Sequence, residues 1–572
     1  MTFEASMALT VGQVFPNTPN SDTKWIELDW KFPIQFFVGR NGSGKSRTAK
    51  ALVANSESAG ISTRLLSTDR LSGWMNFTTF SGIAVPSEYR GGVTSEDEQE
   101  RVIRYSKSEG LASDALIVLK ENPDIALRIS ALMRSAFGKK LSIVERSGFI
   151  DPDIKDDFGS YSLLRDEGHG LRELVILLVG IYRQDWSLLV LDEPELHLHP
   201  AMTRILMGEL EKECSESGRK AIVVTHEPRL LNPRTLDDMQ AIWVFQPNGT
   251  PSRLGENLLN DSLHRPAEKR VSESLKQYPN LVSELVFSPR PVLVEGPGDV
   301  AALNATLNRL ASPIVTSQTD FIPCGGSDVV PMWLDVATHA GLNVRTIADL
   351  DSLFNDRFRR VMDNRPGMKK DLGRLLFASP PTNHEALKPL TQAAGTEGAK
   401  TEKTKSAWLA GLSAGEPGGY FHRRDQILSI WKTAGVYLHP QGRVEDALEL
   451  SDHADPRTLA ERAHQHDGLQ AAALWSAFQT NTDGDEFYLL GLEVERIATH
   501  ILREEKITPE GSATTYSYLA PEDKKIVDVM KLGSRFRLTV KRPTRWAGYW
   551  IEVDRGMALD NYTLQKPVKE AE

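Results

Sequence analysis

Short apolar runs alternate with helical patterns through the first half of the chain. Runs at Ile34–Val38, Ser187–Leu191 and Ala221–Val224 have the length of buried strands, and each precedes a loop and then a helix. Residues 96–145 have a mainly helical pattern. Strands of a parallel sheet are apolar on both faces because helices cover both sides of it. The pattern therefore predicts an α/β domain with a parallel sheet.

A helical pattern at Ala267–Val286 leads into a second group of strands, which predicts a second α/β domain. Its strands are predicted at Pro291–Val294, Asp320–Pro323, Val344–Ala348 and Val436–His439. The tail begins helically and ends in two alternating segments, typical of a small β-hairpin, at Phe536–Val540 and Tyr549–Val553. The predicted organisation is a first domain at 1–270, a connector at 271–287, a second domain at 288–455 with a polar insertion at 383–419, and a C-terminal α+β region at 456–572.

Composition narrows the class of protein. A length of 572 residues exceeds what one hydrophobic core serves, and 40% hydrophobic with 25% charged residues is ordinary for a soluble protein. No apolar run is long enough to span a bilayer, and the N-terminus lacks the features of a secretory signal. The two cysteines, Cys214 and Cys324, form no CxxC pair. We therefore expect a cytoplasmic protein without a disulfide scaffold, a zinc site or a membrane partner.

One segment matches the phosphate-binding pattern GxxxxGK[ST] in full, from Gly39 to Ser46. It follows a predicted strand and precedes a helix, so backbone N–H groups and the helix N-terminus meet the phosphates. Lys45 is expected to contact the β- and γ-phosphates and Ser46 to bind Mg²⁺. The alternative, a chance glycine turn, is disfavoured by this context. The predicted ATP-binding residues of the segment are Gly39, Asn41, Gly42, Gly44, Lys45 and Ser46.

Two later strands end in polar groups that suit the same site. The run Leu188–Leu191 delivers Asp192, expected to hold Mg²⁺, and Glu193, expected to orient or deprotonate the attacking water. The run Val223–Thr225 delivers His226, a candidate contact of the γ-phosphate. A single histidine is more often a core or capping residue, and its order after the carboxylates makes it a switch candidate.

These pieces, together with Pro194–Pro200, resemble the ABC-type ATPases, in particular the structural-maintenance and Rad50-like branch. That resemblance implies a signature loop before the Asp-Glu strand and head-to-head dimerisation around ATP. The matching segment is Asp166–Glu173, which departs from the usual Ser-Gly-Gly wording. By position alone, Gly168 and Gly170 are the expected contacts to ATP bound by the opposite subunit.

A second set of acidic residues follows the strands of the second domain. Glu295 and Asp299 come after one strand, and Asp349 and Asp351 form a DxD pair after another. Carboxylates gathered at one sheet edge repel one another unless cations bind, and two Mg²⁺ or Mn²⁺ ions there suit phosphodiester cleavage. Asp299 as a helix cap and Asp351 as a turn residue are the alternatives. Asp328, after Gly325-Gly326, is expected to belong to a turn.

This ordered set resembles the Toprim domain of type II topoisomerases, bacterial primases and OLD-family nucleases. The resemblance implies that Glu295 is the motif glutamate and that Asp349 and Asp351 are the DxD metal ligands. In the OLD branch, Asp299 matches a further acidic ligand and Glu445 a late glutamate, although Glu-Asp pairs also commonly start helices. The resemblance also implies a catalytic lysine near the end of the chain, for which Lys541 is the candidate and Lys531 the alternative.

Two basic stretches are candidate DNA contacts, even though the formal net charge is −10. Solvated helix and strand faces explain such stretches about equally well. The residues that we expect to contact DNA are Arg357, Arg359, Arg360, Lys369, Lys370, Arg537 and Arg542.

A P-loop ATPase followed by a Toprim domain in one chain resembles the OLD family, which includes the Gabija defence nuclease. The resemblance implies an ATP-regulated, Mg²⁺- or Mn²⁺-dependent DNA endonuclease in anti-phage defence, forming a homodimer or higher oligomer through its ATPase domain, with a separate defence protein as a further partner to test for. The alternatives are an ATP-sensing switch or a repair-like ABC ATPase whose Toprim half binds or signals. A topoisomerase needs a nucleophilic tyrosine on a winged helix, and a primase usually has a zinc module. Neither is indicated. Whether ATP activates or inhibits cleavage stays open.

Overall fold

The computed structural model divides the chain into two compact units. One unit comprises Met1–Phe287 with Val336–Leu342, and the other comprises Ser288–Asp335 with Asn343–Glu572. The residues that the structure describes are 7–18, 22–28, 30–68, 77–80, 83–86, 112–146, 149–246, 249–260, 267–311, 313–365, 367–376, 382–413, 419–450, 454–477, 527–532, 535–541 and 550–554.

The strands of the first unit include the three predicted from the apolar runs, together with further parallel strands and short antiparallel pieces. In chain order they are β1 Met7–Thr10, β2 Lys24–Leu28, β3 Ile34–Gly39, β4 Thr63–Leu66, β5 Phe77–Phe80, β6 Ile83–Pro86, β7 Lys140–Ser142, β8 Glu145–Arg146, β9 Phe149–Ile150, β10 Asp153–Asp156, β11 Gly159–Ser162, β12 Leu188–Asp192, β13 Lys220–Thr225, β14 Ile242–Phe245 and β15 Ser252–Arg253.

Six of these strands form the central sheet in the order β15-β14-β3-β13-β12-β4. All neighbours in it are parallel except β14 and β15. The smaller sheets are β1-β2, β11-β10-β7, β5-β6 and β8-β9. The order places β3, β13 and β12 side by side, so the phosphate loop and the two polar strand ends share one sheet edge.

The continuous apolar runs have a direct cause in the packing. On β12, Leu189 and Leu191 join one hydrophobic cluster, whereas Leu188 and Val190 join another on the opposite face. Because successive side chains of a strand point to opposite faces, a sheet covered on both sides needs apolar residues at every position. The helix His169–Tyr182 is buried from Leu171 onward and forms the centre of one of these layers.

The helices of the first unit connect and cover these strands. They are Val11–Val14, Lys45–Ser58, Ala112–Glu121, Pro123–Phe137, His169–Tyr182, Pro200–Ser217, the 3₁₀ helix Pro228–Leu230, Leu236–Gln240, Asn257–Asn260, Ala267–Gln277 and Leu281–Phe287. The last two are the predicted helical connector.

The second unit is built on a four-stranded parallel sheet in the order β17-β16-β18-β19. Its strands are β16 Arg290–Val294, β17 Thr319–Pro323, β18 Arg345–Ala348 and β19 Val436–Leu438. All four match predicted strands within a residue. The unit's helices are Pro297–Leu310, Pro313–Ser317, Val330–His339 (which ends among the residues grouped with the first unit), the 3₁₀ helix Leu350–Phe354, Asp356–Asp363, Met368–Leu376, Asn383–Thr396, Glu402–Ala410, Tyr420–Thr433, Val444–Ala447, Pro456–Ala463 and Gln470–Ser476.

Two helices that the sequence analysis assigned to the C-terminal region pack into this unit's core. Pro456–Ala463 and Gln470–Ser476 lie against the helix Pro297–Leu310. Leu459, Ala463 and Trp475 are buried in the same cluster as the strand residues Val292 and Val294. The sequence analysis began a separate C-terminal region at residue 456, whereas the apolar side chains of these two helices belong to the core of the second unit.

The polar insertion at 383–419 is also folded. It forms the helices Asn383–Thr396 and Glu402–Ala410, whose first turns are capped by Thr382 and Thr401. Its buried side chains include Leu387, Leu390 and Leu409.

Near the end of the chain, β20 Val527–Leu532, β21 Arg535–Val540 and β22 Trp550–Asp554 form an antiparallel sheet in that order. The predicted hairpin is confirmed as β21 and β22, with β20 as a third strand. None of the helices in the described part of the chain combines the length and the apolar character that crossing a lipid bilayer requires.

Candidate functional site

The phosphate loop lies between β3 and the helix Lys45–Ser58, where the sequence placed it. Gly39 has a φ of 141°, and a Cβ built on it would lie 2.2 Å from the backbone oxygen of Phe245. This position therefore requires glycine both for its backbone conformation and for its close approach to β14. Glycine at this position thus serves the packing of the loop against β14.

Lys45 is folded back against its own loop. Its Nζ donates to the carbonyl oxygens of Gly39 and Arg40, at 2.8 and 3.0 Å. Burial lowers the pKa of Lys45, while the charges of Glu193, Asp192 and Glu195 act to raise it. The ammonium group is thus held beside the acidic strand end.

Ser46 and Asp192 meet as the sequence analysis predicted. The Ser46 hydroxyl donates to Asp192 Oδ1 over 2.9 Å, which joins the start of the phosphate-loop helix to the end of β12. Asp192 is buried, with 3% of its surface exposed. A hydroxyl and a carboxylate at this separation are oxygen ligands of the kind that Mg²⁺ prefers.

Glu193 is held in an unusual backbone conformation. Its φ is 48°, although it is not glycine, and its N–H donates to Val224 O at 2.8 Å. Its Oε1 lies 3.1 Å from His226 Nδ1. Left-handed backbone at a non-glycine residue is sparse and clusters at functional sites. The structure also brings together Glu193 and His226, which the sequence placed at the ends of two separate strands.

Glu195 is a site residue that the sequence analysis quoted only as part of a motif. Its Oε1 accepts from the Thr225 hydroxyl at 2.5 Å and from the His226 N–H at 3.2 Å. Burial raises the pKa of Glu195, against the lowering effect of these hydrogen bonds. Its place directly after Asp192-Glu193-Pro194 was the available sequence signal.

The segment at the signature-loop position begins a helix and contacts the loop that follows Glu193. Gly168 is the N-cap of His169–Tyr182. A Cβ on Gly170 would lie 2.7 Å from the His197 backbone oxygen. The segment is further fixed by Glu167, which accepts from the Tyr161 hydroxyl at 2.8 Å. These contacts lie within one chain, so contact of Gly168 and Gly170 with a partner's ATP stays a prediction.

In the second unit, three predicted carboxylates converge. Glu295 follows β16 and Asp349 follows β18, and these strands are parallel neighbours. Glu295, Asp349 and Asp351 each offer an oxygen, and these oxygens lie within 4.8 Å of one another. The Asp349 N–H donates to Glu295 Oε1 at 3.2 Å. Carboxyl ends of parallel strands meet at one edge, which is why the sequence order predicts this group.

The predicted glycine turn holds the backbone of this site. The N–H groups of Gly325 and Gly326, after β17, donate to the Glu295 carbonyl oxygen at 3.0 and 2.9 Å. Asp328 lies in the following turn, as expected, and its Oδ1 accepts from Asn355 Nδ2 at 2.9 Å. The turn therefore supports the site without adding a ligand to the three carboxylates.

The charges of Asp299 and Glu445 act to raise the pKa values of Glu295 and Asp349. Asp299 is in the first turn of Pro297–Leu310, where its Oδ2 accepts the Gly296 N–H at 2.8 Å. It thus has the helix-capping role given as the alternative. Glu445 is in the first turn of Val444–Ala447. Whether they are metal ligands stays a prediction.

Electrostatics indicate that this group suits a cation. Burial, and then the charge of Asp299, raises the pKa of Glu295 to about 8, and burial raises the pKa of Asp299 to about 6. Burial and the charge of Glu295 hold the pKa of Asp349 well above its usual range. Asp351 Oδ1 is buried and has no hydrogen-bond partner among the described residues. A group of like-charged carboxylates, one of which has a buried oxygen without a hydrogen-bond partner among the described residues, suits a divalent metal ion.

Two cations near this group were missed by sequence reasoning. The charges of Arg443 and Lys403 lower the pKa of Asp351, while burial has the larger, raising effect. Lys403 belongs to the insertion helix Glu402–Ala410, which packs against the 3₁₀ helix that carries Asp351. The Lys405 ammonium lies 5.7 Å from the Phe354 ring centroid, which marks the same contact. The insertion had no motif that would have indicated this position.

The predicted DNA contacts have different surroundings. Arg357 Nη1 donates to the Asp328 carbonyl at 3.3 Å, and Arg359 is paired with Asp356 and has 13% of its side chain exposed. The Arg537 guanidinium lies 4.3 Å from the Trp550 ring centroid. The more open members of the set are Arg360, Lys369 and Lys370.

The other predicted basic residues lie near the end of the sequence. Arg542 lies outside the described residues, Lys541 follows β21, and Lys531 is within β20. The assignment of the catalytic lysine therefore stays a prediction.

Comparison with protein-family models gives two matches in the order that the fold suggests. Residues 94–232 match an AAA domain described as putative AbiEii toxin, Type IV TA system, and residues 286–351 match the TOPRIM domain of overcoming lysogenization defect protein-like proteins. The first match contains Asp192, Glu193 and His226, and the second contains Glu295, Asp349 and Asp351. The chain is thus an ATPase domain followed by a TOPRIM domain.

Two curated proteins and one solved structure are similar to parts of this chain. Old nuclease of Escherichia phage P2 is 26% identical over 295 residues, which is 46% of this chain and 49% of that protein. The Retron Ec83 probable ATPase of Escherichia coli is 28% identical over 138 residues, or 22% of this chain and 23% of that protein. The matches thus span about half or less of these relatives. Stu0660 of Streptococcus thermophilus, a solved structure, aligns at 10% identity and a TM-score of 0.24 over 46% of this chain and 89% of that one. The chain thus combines an ATPase domain with a TOPRIM domain and is similar over part of its length to Old nuclease.

Proposed function

We propose that the chain is an ATP-regulated DNA endonuclease that requires Mg²⁺ or Mn²⁺. The observation that carries this proposal is the convergence of Glu295, Asp349 and Asp351 within 4.8 Å at one edge of a parallel sheet. This sheet edge lies in the segment that matches an OLD-like TOPRIM domain. Phosphodiester hydrolysis is the chemistry that such a carboxylate group serves when it holds divalent metal ions.

In the ATPase domain, each polar residue has a role that its contacts support. Lys45 would exchange the carbonyl oxygens of its own loop for phosphate oxygens, and the loop's backbone N–H groups would surround the phosphates. Ser46 and Asp192 would hold Mg²⁺, which neutralises charge on the β- and γ-phosphates. Glu193 would orient the attacking water as its general base. His226 has its Nδ1 beside Glu193, so its other ring nitrogen is the one to contact the γ-phosphate.

In the TOPRIM domain, Glu295, Asp349 and Asp351 would hold the metal ions, with Asp299 and Glu445 as further carboxylates. The metal would supply an activated water and stabilise the leaving oxygen. Lys403 lies in the helix Glu402–Ala410, and Arg443 caps the start of the helix Val444–Ala447. Both cations would attract the DNA phosphate. Lys541 is the proposed catalytic lysine, and the exposed basic residues, with Arg360, Lys369 and Lys370 foremost, would position the DNA backbone.

We further propose a cytoplasmic homodimer, or a higher oligomer, that acts in anti-phage defence. Support for dimerisation is the position of Gly168 and Gly170 at the start of a helix, beside the loop that follows Glu193. Support for defence is the family alone. A separate defence-system protein is a further partner to test for.

The test is cleavage of supercoiled plasmid with Mg²⁺ or Mn²⁺, with and without ATP, by the wild type and by Asp349→Ala. Metal-dependent nicking or linearisation that vanishes in the variant supports the nuclease, and the ATP arm gives the sign of the coupling. A wild-type protein that hydrolyses ATP but cleaves none of the DNA substrates would contradict the proposed nuclease. The similarity to a retron ATPase would then favour the second candidate, an ATP-sensing switch with a binding or signalling TOPRIM domain.

A further inference from the structure

The loop after β12 is held in a conformation that ordinary residues rarely adopt. Glu193 and His197, neither of them glycine, have φ values of 48° and 62°. Such backbone persists only where surrounding contacts over-determine it. The contacts that fix this loop therefore bear on the position of Glu193, the proposed base of ATP hydrolysis.

Glu195 supplies contacts of this kind from the middle of the loop. Its side chain is 7% exposed. One oxygen, Oε1, accepts from the Thr225 hydroxyl at 2.5 Å and from the His226 N–H at 3.2 Å, and it lies 3.7 Å from His226 Nδ1. The other oxygen, Oε2, is buried and has no hydrogen-bond partner among the described residues. The hydrogen bonds that Oε1 accepts from Thr225 and His226 thus tie the carboxylate to the end of β13.

These bonds connect the two strand ends that carry the reacting groups. Glu193 leaves the end of β12, and His226 leaves the end of β13, which is the parallel neighbour of β12. By binding the His226 backbone and the adjacent Thr225 hydroxyl, Glu195 fixes the point from which the imidazole projects. The 3.1 Å separation between Glu193 Oε1 and His226 Nδ1 depends on that point.

The far side of the same loop is fixed by packing. The His197 carbonyl lies so close to Gly170 that a Cβ there would approach it to 2.7 Å, and the rings of His197 and His169 have centroids 5.8 Å apart. The loop is therefore held on one side by Glu195 and on the other by the start of the helix His169–Tyr182. A shift at Glu195 would be transmitted to the Glu193–His226 pair rather than absorbed.

We propose that Glu195 is a positioning residue of the ATPase reaction, which sets the geometry of Glu193 and His226 without touching ATP. The inference rests on the proposed hydrolysis of ATP by Glu193 and His226. A positioning role predicts that loss of the Glu195 carboxylate lowers the turnover of ATP while ATP binding is retained. A residue that only caps the loop would not have this selective effect.

The test uses the full chain and steady-state ATP hydrolysis. Glu195→Ala and Thr225→Val are expected to lower kcat about 10- to 100-fold, since small misplacements of reacting groups have effects of this size. KM for ATP is expected to stay within about twofold, because Lys45 and the phosphate loop keep their contacts. Thr225→Ser, which keeps the hydroxyl, should recover most of the turnover lost in Thr225→Val, and Glu195→Gln, which keeps an accepting oxygen, should be intermediate.

The matched control is Glu227→Ala, which removes a glutamate from the same stretch whose side chain pairs with Arg229 instead. Its kcat should stay within about twofold of wild type. An unchanged kcat in Glu195→Ala would overturn the inference. So would a control variant that loses as much kcat, and as much melting temperature, as the other variants do. A wild type that hydrolyses no ATP would refute the proposed ATPase itself, and that result is distinct because it needs no variant.

Discussion

The two candidate sites of this chain hold their charges in different ways. In the ATP site, charged and polar groups partner one another: Lys45 donates to carbonyl oxygens, Ser46 donates to Asp192, and His226 lies beside Glu193. In the TOPRIM site, several negatively charged carboxylates lie close together and are partly buried, and the pKa values of Glu295 and Asp349 are raised. The first site is ordered by its own hydrogen bonds, whereas the second needs protons or cations to be stable. Perturbations should therefore separate them.

The largest expected effect is the separation of the two activities. Asp349→Ala removes a ligand from the carboxylate group, and metal stabilisation of a phosphoryl transition state amounts to several kcal/mol. We expect DNA cleavage to fall at least about 10³-fold, with ATP hydrolysis in the absence of DNA within about twofold of wild type. Plasmid cleavage and phosphate release measure both quantities in one preparation.

Lys45→Ala is the mirror of this variant. It should lower ATP hydrolysis by about 10²- to 10³-fold, because a positioned cation at developing phosphate charge is removed. The change in its melting temperature when EDTA replaces Mn²⁺ should match that of wild type, because the TOPRIM carboxylates are unchanged. If Asp349→Ala abolished ATP hydrolysis as strongly as DNA cleavage, the two sites would not be separate in the way that their contacts indicate.

Next in size is a packing effect confined to the phosphate loop. Gly39→Ala places a Cβ 2.2 Å from the Phe245 backbone oxygen at a φ of 141°. We expect it to lower the free energy of unfolding of its domain by about 2–4 kcal/mol. Gly60→Ala is the control, since Gly60 also has a positive φ, 76°, but no atom within 4 Å of its Cβ. It should cost about 1 kcal/mol. Urea denaturation measures both, and equal costs would mean that the close approach to β14 is relieved by a shift of the loop.

A smaller effect is expected from pH and metal at the TOPRIM site. Carboxyl groups with raised pKa values bind more protons in the folded state, so the stability that they contribute is lost as pH rises. Glu295, with a pKa of about 8, and Asp299, with a pKa of about 6, place this loss between about pH 5 and pH 8. We expect the melting temperature in EDTA to fall over this range and Mn²⁺ to reduce the fall, because the metal replaces the protons.

Other groups titrate over the same range, so the comparison needs a variant. Glu295→Gln removes one of the buried carboxyl groups with a raised pKa, and its melting temperature in EDTA should depend less on pH than that of wild type. Differential scanning fluorimetry at matched ionic strength gives both slopes. Identical slopes in wild type and variant would show that Glu295 does not carry the raised pKa.

The sequence was sufficient to predict β3, β12, β13 and the four strands of the second sheet, with the residues at their ends, but not the parallel strands β4 and β14. Continuous apolar runs such as Leu188–Leu191 can hardly be anything but strands covered on both faces, and parallel order then brings Glu295 and Asp349 to one edge. Sequence could not show that the separate apolar positions of Leu459 and Ala463 fill the core beside β16, because the partner surface is distant in the chain. Nor could it show that Glu195 bonds to Thr225, since that contact depends on the strained conformation at Glu193.

The smallest effect concerns Lys403, whose position beside Asp351 no motif indicated. Lys403→Ala removes an exposed cation whose charge acts on Asp351. The control is Lys388→Ala, which removes one positive charge from the preceding insertion helix, Asn383–Thr396. Loss of one phosphate contact should lower kcat/KM for plasmid cleavage about 3- to 10-fold and make the salt dependence of binding shallower by about one unit in slope. Lys388→Ala should change neither by more than about twofold. Equal effects of the two substitutions would indicate general attraction of DNA to a basic surface. A larger effect at Lys403 would extend the contrast between the sites, because the acidic site would then take its neutralising charge from the insertion as well as from metal, whereas the ATP site has its lysine within its own loop.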